Sequence, residues 1–359
     1  MKITEVSTIA VAEPGGRRYV IVKLSTDEGI SGYGEAPAGP DPETAVAAIS
    51  RETAPVRGQD PARLLFLDQE LRRSGASPAS RAAVNVAALD ILARSANAPL
   101  YEFLGGPTRN KARAMAVVEG KTAGELRDAV LKAKDAGHRA FSIPLTMPNG
   151  NERGRVFYTA IRSTFDSLRQ AAGSECDFVL DCGGQTTPGE ALSIADRMEE
   201  FHLFWMDEPC GDLNAAAQAS ISKGSVTPVG FGRSVTENSR FQDLLREDAI
   251  DVLRPDIALN GITAIRKAAA IAETYYVAVA PYHRGGPIGT AAGIHIAASL
   301  PNSFVQETPF TSDADRKARS EIAGGWDERP REGFFELLQK PGLGLDIDDR
   351  AIRAHRIAG

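Results

Sequence analysis

The sequence predicts an α/β fold: a (β/α)7–8 barrel of the TIM type preceded by a smaller α+β capping domain. Three observations point there. After Lys111, short apolar runs alternate with helical periods about every 25–35 residues, near the one-eighth share of a typical barrel. The first hundred or so residues read differently, as strand-like runs followed by a long helical pattern. Finally, polar and mostly ionisable residues stand at the ends of successive strand-like runs, where a barrel places its chemistry.

In chain order, residues 3–12 and 19–25 carry apolar and β-branched side chains in strand-like runs. Residues 29–34 form a turn, and a strand resumes into Gly34-Glu35-Ala36-Pro37, so two or three antiparallel strands are expected. Beyond Pro78 the spacing is helical, with Ala83, Val86, Ala87 and Asp90 on one face, and Leu104-Gly105-Gly106-Pro107 is a helix stop. Residues 1–110 are read as the capping domain, 111–329 as the barrel, and 330–359 as a tail packing back on the cap.

Eight strand candidates follow, at 114–118, 140–143, 178–181, 204–207, 229–232, 251–254, 277–280 and 304–307. The segments between them keep helical period: Leu126, Ala129, Val130 and Ala133, closed by Gly137; Ala191, Ile194, Ala195 and Met198; Ile265, Ala268, Ala269 and Ala272. Thr187-Pro188-Gly189-Glu190 is a capping box with proline at the first helical position. Alternating βα units imply a parallel sheet with right-handed crossovers.

Composition narrows the function. A formal net charge of −6 argues against nucleic acid or an anionic membrane as partner, since both need a basic face. No run approaches 18 apolar residues, and the start of the chain lacks a signal-peptide core. Three cysteines, Cys176, Cys182 and Cys210, form no CxxC pair; this suits a reducing cytoplasm. The absence of GxxxxGK[ST], HExxH, GxSxG and a strand-borne GxGxxG removes weight from phosphate-loop, zincin and nucleophile-elbow chemistry.

The strand ends supply Asp181, Asp207-Glu208-Pro209, Arg233, Arg254-Pro255-Asp256, Tyr282-His283-Arg284 and Glu307. Acids on adjacent strands could converge on a divalent cation through hard oxygen ligands. Singly, each could equally cap a helix or be solvated.

Several segments resemble the mandelate racemase and muconate lactonizing branch of the enolase superfamily. They are Ala87-Ala88-Leu89-Asp90-Ile91 through Leu104-Gly105-Gly106, Trp205-Met206-Asp207-Glu208-Pro209, Arg254-Pro255-Asp256-Ile257 with Asn260-Gly261-Ile262-Thr263, Gly286-Pro287-Ile288-Gly289, and Pro341-Gly342-Leu343-Gly344. Their order and spacing run nearly end to end. The resemblance implies an isomerase or lyase that abstracts a proton α to the carboxylate of an organic acid or acid sugar, with Mg²⁺ holding the carboxylate, in a cytoplasmic homo-oligomer.

Carried over position by position, Asp181 matches the first metal ligand and Asp207 the second, where the family usually has Glu. The third ligand position holds Arg233, after Gly232. A guanidinium cannot ligate a cation. Two unit charges 4 Å apart repel by roughly 4 kcal/mol at an effective dielectric of 20, and a dication roughly doubles that. An altered metal site is therefore expected, with Glu237 as a weak replacement ligand. Strand two offers Phe141-Ser142-Ile143-Pro144 where the family carries a base. Tyr282 aligns with the family's dyad histidine and His283 follows it. The catalytic candidates are His283, Tyr282, Asp256 (as orienting acid) and Glu307; Arg233 and Arg284 are candidates for binding the substrate carboxylate. Three readings follow: an enzyme in which Arg233 bridges Asp181 and Asp207 in place of the metal; a non-catalytic, metal-free binder of organic acids; and an ordinary Mg²⁺ dehydratase with Arg233 turned away. Residues 12–18 and 35–41 are rich in Gly and Pro, as a lid or a plain surface turn would be.

Overall fold

The computed structural model describes residues 1–146, 154–211 and 214–357. β1 (Ile3–Ala12), β2 (Arg18–Thr26) and β3 (Ser31–Pro37) form an antiparallel sheet in that order. Helices α1 (Pro42–Thr53), α2 (Leu64–Arg73), α3 (Pro78–Ser95) and the one-turn α4 (Leu100–Phe103) complete the cap. α3 starts where the sequence expects, with Pro78 at the first helical position and the Ser77 hydroxyl accepting from Ser80 N–H. The expected single apolar face is too narrow, because α3 is buried nearly all round, with Arg81 and Asp90 included. One side packs on β3 and another on a barrel helix. Gly34 permits the first contact: a Cβ there would stand 2.0 Å from the Ala83 carbonyl oxygen.

The barrel strands are β4 (Lys111–Val117), β5 (Ala140–Pro144), β6 (Asp177–Asp181), β7 (Met206–Asp207), β8 (Val229–Phe231), β9 (Val252–Leu253), β10 (Ala278–Val279) and β11 (Gln306–Pro309). Each pairs in parallel with its neighbour from β4 to β10, and β11 returns to lie parallel to β4. The ring closes just before β11: Val279 N–H donates to Asn302 O at 2.9 Å and Phe304 N–H to Val279 O at 2.8 Å. All eight expected strands are present, several reduced to two paired residues. Met115, Ala140, Val179, Trp205, Val252, Ala280 and Val305 form one of the buried apolar clusters. One comes from each of seven strands or the residue adjoining it, as an inward-facing layer requires.

The outer helices are α5 (Ala123–Asp135), α6 (Arg155–Ala172), α7 (Pro188–Met198), α8 (Ala215–Gly224), α9 (Asn238–Arg246), α10 (Ile257–Thr274), α11 (Pro287–Ser299) and α12 (Asp313–Ile322). The capping box at Thr187 and Glu190 forms in full, and α5 buries Leu126, Val130 and Ala133 as its spacing predicts. After the barrel, β12 (Phe334–Glu336) pairs antiparallel with the start of β4, and α13 (Asp349–Ala354) leads to Ile357, whose N–H donates to Ala10 O of β1. Of the tail read as 330–359, residues 358–359 lie outside the described residues. No helix among the described residues is long and apolar enough to cross a membrane.

Candidate active site at the barrel mouth

The ends of β6, β7, β8, β9 and β11 bring together a compact set of charges. Arg233, two residues past β8, reaches across the mouth. Its Nη1 lies 3.1 and 3.0 Å from the two Asp181 oxygens, and its Nη2 donates to Asp207 Oδ2. Arg254, one residue past β9, is fully buried; its Nε lies 3.0 Å from Asp207 Oδ1 and its Nη2 donates to Glu307 Oε2. Arg284 closes the circuit from the solvent side, with Nη2 2.7 Å from Asp181 Oδ2 and Nε 3.5 Å from Glu307 Oε1. Three guanidinia thus face three carboxylates. The Tyr282 ring lies among them, 4.7 Å from the Arg233 guanidinium carbon and 5.3 Å from that of Arg284.

Burial pushes the Asp207 carboxyl up, but the charges of Arg233 and Arg254 outweigh it and hold its pKa below the ordinary range. Burial would also ease the proton off Arg233, yet Asp207, Glu307 and Asp181 keep it firmly charged. Burial dominates elsewhere: it raises Tyr282 to about 12 and Asp256 to about 7. Two atoms of the cluster are left over. Arg233 Nε and Glu307 Oε1 are buried without a hydrogen-bond partner among the described residues. A buried, unsatisfied donor and acceptor in a charged mouth are the features a polar ligand would answer.

Glu208 behaves as strand alternation requires. It turns away from Asp207, adopts a φ of 44°, and accepts from Gly232 N–H at 2.8 Å and Arg233 N–H at 2.9 Å. It therefore fixes the loop that aims Arg233. Glu237, the suggested replacement ligand, lies on the flank instead; it is half exposed and pairs with Arg72 of α2 at 3.1 Å.

Two expectations need correction. Among the described residues Asp256 has no hydrogen bond to Tyr282 or His283. It caps α10, accepting from Ala258 N–H at 2.7 Å. His283 belongs to a different place, because one step along the chain reverses the side-chain direction. It is fully buried, its ring bonds Gly286 O at 2.9 Å, and burial depresses its pKa to about 3, so it is neutral. The ring packs on Gly289, where a Cβ would stand 2.0 Å from His283 Cε1.

That second place is a seam under the cap. Glu35 of β3 is buried and accepts from the N–H groups of Gly286 and Gly289 at the start of α11, with its pKa raised by burial to about 7. Beside it Arg319 of α12 bonds Glu13, Glu328, Gly285 O and Thr290. Glu13 lies in the expected lid 12–18, so that loop is tied down from the barrel side. Arg254 was named from sequence as a strand-end residue but given no role, and Glu35 and Arg319 were given none. A strand-end arginine beside two acids was a usable signal for Arg254; no local pattern marks the other two.

The family description "Mandelate racemase / muconate lactonizing enzyme, N-terminal domain" matches residues 3–105, and "Enolase C-terminal domain-like" matches residues 125–351. A D-xylonate dehydratase of Haloferax volcanii is 27% identical over an alignment covering 100% of this chain and 90% of that protein. Among solved structures, a mandelate racemase/muconate lactonizing enzyme-like protein from Roseovarius sp. TM1035 is 25% identical with a TM-score of 0.89, covering 100% of this chain and 96% of that one. A mandelate racemase/muconate lactonizing enzyme from Sulfitobacter sp. gives the same identity, TM-score and coverage. With both halves of the chain matched and the barrel and cap in place, this protein belongs to the mandelate racemase/muconate lactonizing enzyme branch of the enolase superfamily.

Proposed function

We propose that this chain is a lyase acting on a hydroxylated organic acid, most plainly an acid sugar, and that it does so with guanidinia where its relatives use a divalent metal. The observation that carries this is Arg233 bridging Asp181 and Asp207. Those two acids are the ligands the family resemblance assigns to Mg²⁺, and each is already engaged by arginine. The donor set does not suit Mg²⁺: the third ligand position is cationic, and the mouth is charge-balanced without an added dication. Among the described residues no three His, Cys, Asp or Glu side chains cluster as metal ligands. The lyase reading is supported by the D-xylonate dehydratase relative.

The chemistry is an elimination. The substrate carboxylate binds Arg284, which is 38% exposed, and the unused Arg233 Nε–H. Asp256 takes the proton α to the carboxylate; raised to about 7, it is ionised in part at neutral pH and basic enough to work there. Charge developing on the enolate is met by the guanidinia. The neighbouring C–O bond then breaks, its electrons leave with the hydroxyl, and the protonated Tyr282 supplies the proton that releases water. Guanidinia already paired with carboxylates stabilise an enolate less than a dication does, so turnover is slow beside that of metal-dependent relatives.

The test is solvent deuterium incorporation and water loss across acid sugars beginning with D-xylonate, with EDTA and with added Mg²⁺. Activity that survives EDTA is expected. Strict dependence on tightly bound Mg²⁺ would overturn the proposal. In Arg233→Glu, Mg²⁺ affinity should rise; unchanged affinity would mean Arg233 does not govern the position. The second reading, a binder without turnover, is favoured by the withdrawal of His283 from the mouth. Binding with exchange on no acid would establish it.

A further inference from the structure

We infer that a cleft between the cap and the flank of the barrel is a second binding site, for a small hydroxycarboxylate. The inference does not depend on the reaction proposed for the mouth. The cavity holds about 120 Å³, lies between α2 and α3 on one side and the starts of α9 and α10 on the other, and shares no lining residue with the mouth. That is room for roughly four waters or one molecule of five or six heavy atoms.

Its walls leave specific groups unanswered. Arg81 of α3 is 9% exposed; its Nη1 makes a long contact of 3.4 Å to Asp68, and its Nε–H is buried with no partner. Lys267 of α10 is exposed, and its ammonium has no hydrogen bond or ion pair among the described residues. The same cavity is lined by Asn260 and Asn238, whose Oδ1 atoms are both buried without partners. Asn260 is also 9% exposed, and its amide orientation is fixed because Nδ2 donates to Val235 O at 3.0 Å and Asp256 O at 3.1 Å. The two acids on the cavity wall, Asp68 and Glu237, are paired with Arg72 and, at the longer distances of 3.4 and 4.0 Å, with Arg81. Arg72, Arg81 and Lys267 against those two acids leave one positive charge.

These groups therefore call for an anion that accepts from Arg81 and Lys267 and a hydroxyl that donates to one of the asparagine oxygens. A bare carboxylate lacks the donor, and a neutral diol lacks the charge. The site is also coupled to the mouth. Asn260 holds Val235, two residues from Arg233, so an occupant seated on Asn260 bears on the loop that places the mouth's central cation.

Calorimetric titration of the full chain with sodium glycolate tests this, with sodium acetate and ethylene glycol as comparators. Glycolate should bind more tightly than either comparator. Its affinity should survive Arg284→Ala at the mouth and fall at least about tenfold in Arg81→Gln, the loss of one charge-assisted hydrogen bond. Lys267→Ala, at an exposed position that keeps the fold safe, should lower affinity in the same direction. Binding that disappears in Arg284→Ala but persists in Arg81→Gln and Lys267→Ala would place the ligand at the mouth and overturn the inference. No glycolate binding, with the cavity holding water alone, would overturn it as well, and neither result bears on whether the mouth exchanges an α-proton.

Discussion

At the barrel mouth three guanidinia face three carboxylates; at the seam under the cap a single guanidinium, Arg319, serves two. The seam's central guanidinium is fully used, although Glu13 Oε2, Tyr19 OH and His283 Nδ1 beside it are buried without a hydrogen-bond partner among the described residues. All five N–H groups of Arg319 are spent, on Glu328 twice at 2.8 Å, Glu13 at 2.7 Å, Gly285 O at 2.8 Å and Thr290 at 3.2 Å. The mouth's central guanidinium is not. Arg233 Nε and Glu307 Oε1 remain unsatisfied, and Arg284 stands partly in solvent. A guanidinium with every N–H spent fixes two bodies against each other, whereas one left incomplete in a strand-end cleft retains capacity for something else. Burial alone does not separate the two regions; whether the central guanidinium is spent does.

The largest effect should come from Arg254→Met. Arg254 is the one member of the mouth that behaves like the seam, fully buried between Asp207 and Glu307. Its loss strands two buried carboxylates, and breaking such a pair from one side costs about 3–5 kcal/mol. Urea unfolding should register that loss. A change under about 1 kcal/mol would mean the mouth relaxes easily around its acids, and the contrast with the seam would lose its structural half.

The next effect lies at the seam and depends on pH. Burial raises Glu35 from 4.5 to about 7. The folded state therefore holds this proton more tightly than the unfolded state. Its contribution is fully present below pH 4.5 and is lost as pH rises through 7, a swing of about 3 kcal/mol at most. Glu35→Gln removes the titration and keeps an acceptor for the closer Gly286 N–H, giving up only the 3.3 Å contact from Gly289. Other titrating groups are common to both proteins, so the variant should gain on the parent by up to that amount between pH 4.5 and 8. A constant difference across the range would show that Glu35 is solvated, and the seam open.

Much of the mouth was legible because barrel chemistry sits at strand ends, and the ends of β6, β7 and β8 can be read from apolar runs alone. The places of Asp181, Asp207 and Arg233 follow from that; that Arg233 is an anomaly follows only from the family resemblance. The direction of a side chain one residue past a strand is less legible. His283 and Tyr282 differ by one step and end in separate networks, and Asp256 uses one carboxylate oxygen, Oδ1, on a helix cap rather than on either ring. Arg254 stood in plain view beside Pro255-Asp256, but its partnership with Glu307 depends on barrel closure, which no local window contains. The seam joins β3 to the start of α11 and the β1–β2 loop to α12, bonds that span 251 and 306 residues, so neither periodicity nor spacing could announce it.

The smallest effect on stability, and the one that most sharpens the contrast, is expected from Arg284→Ala. The side chain is 38% exposed, so its pairs with Asp181 and Glu307 are screened, and unfolding should shift by under about 1 kcal/mol. Binding of an acid sugar should weaken at least about tenfold, because an arginine–carboxylate contact is lost where water is partly excluded. Parallel unfolding and titration experiments give both numbers on one sample. If stability instead fell as far as in Arg254→Met while binding held, Arg284 would be a strut, and the incompleteness of the mouth would no longer distinguish it from the seam.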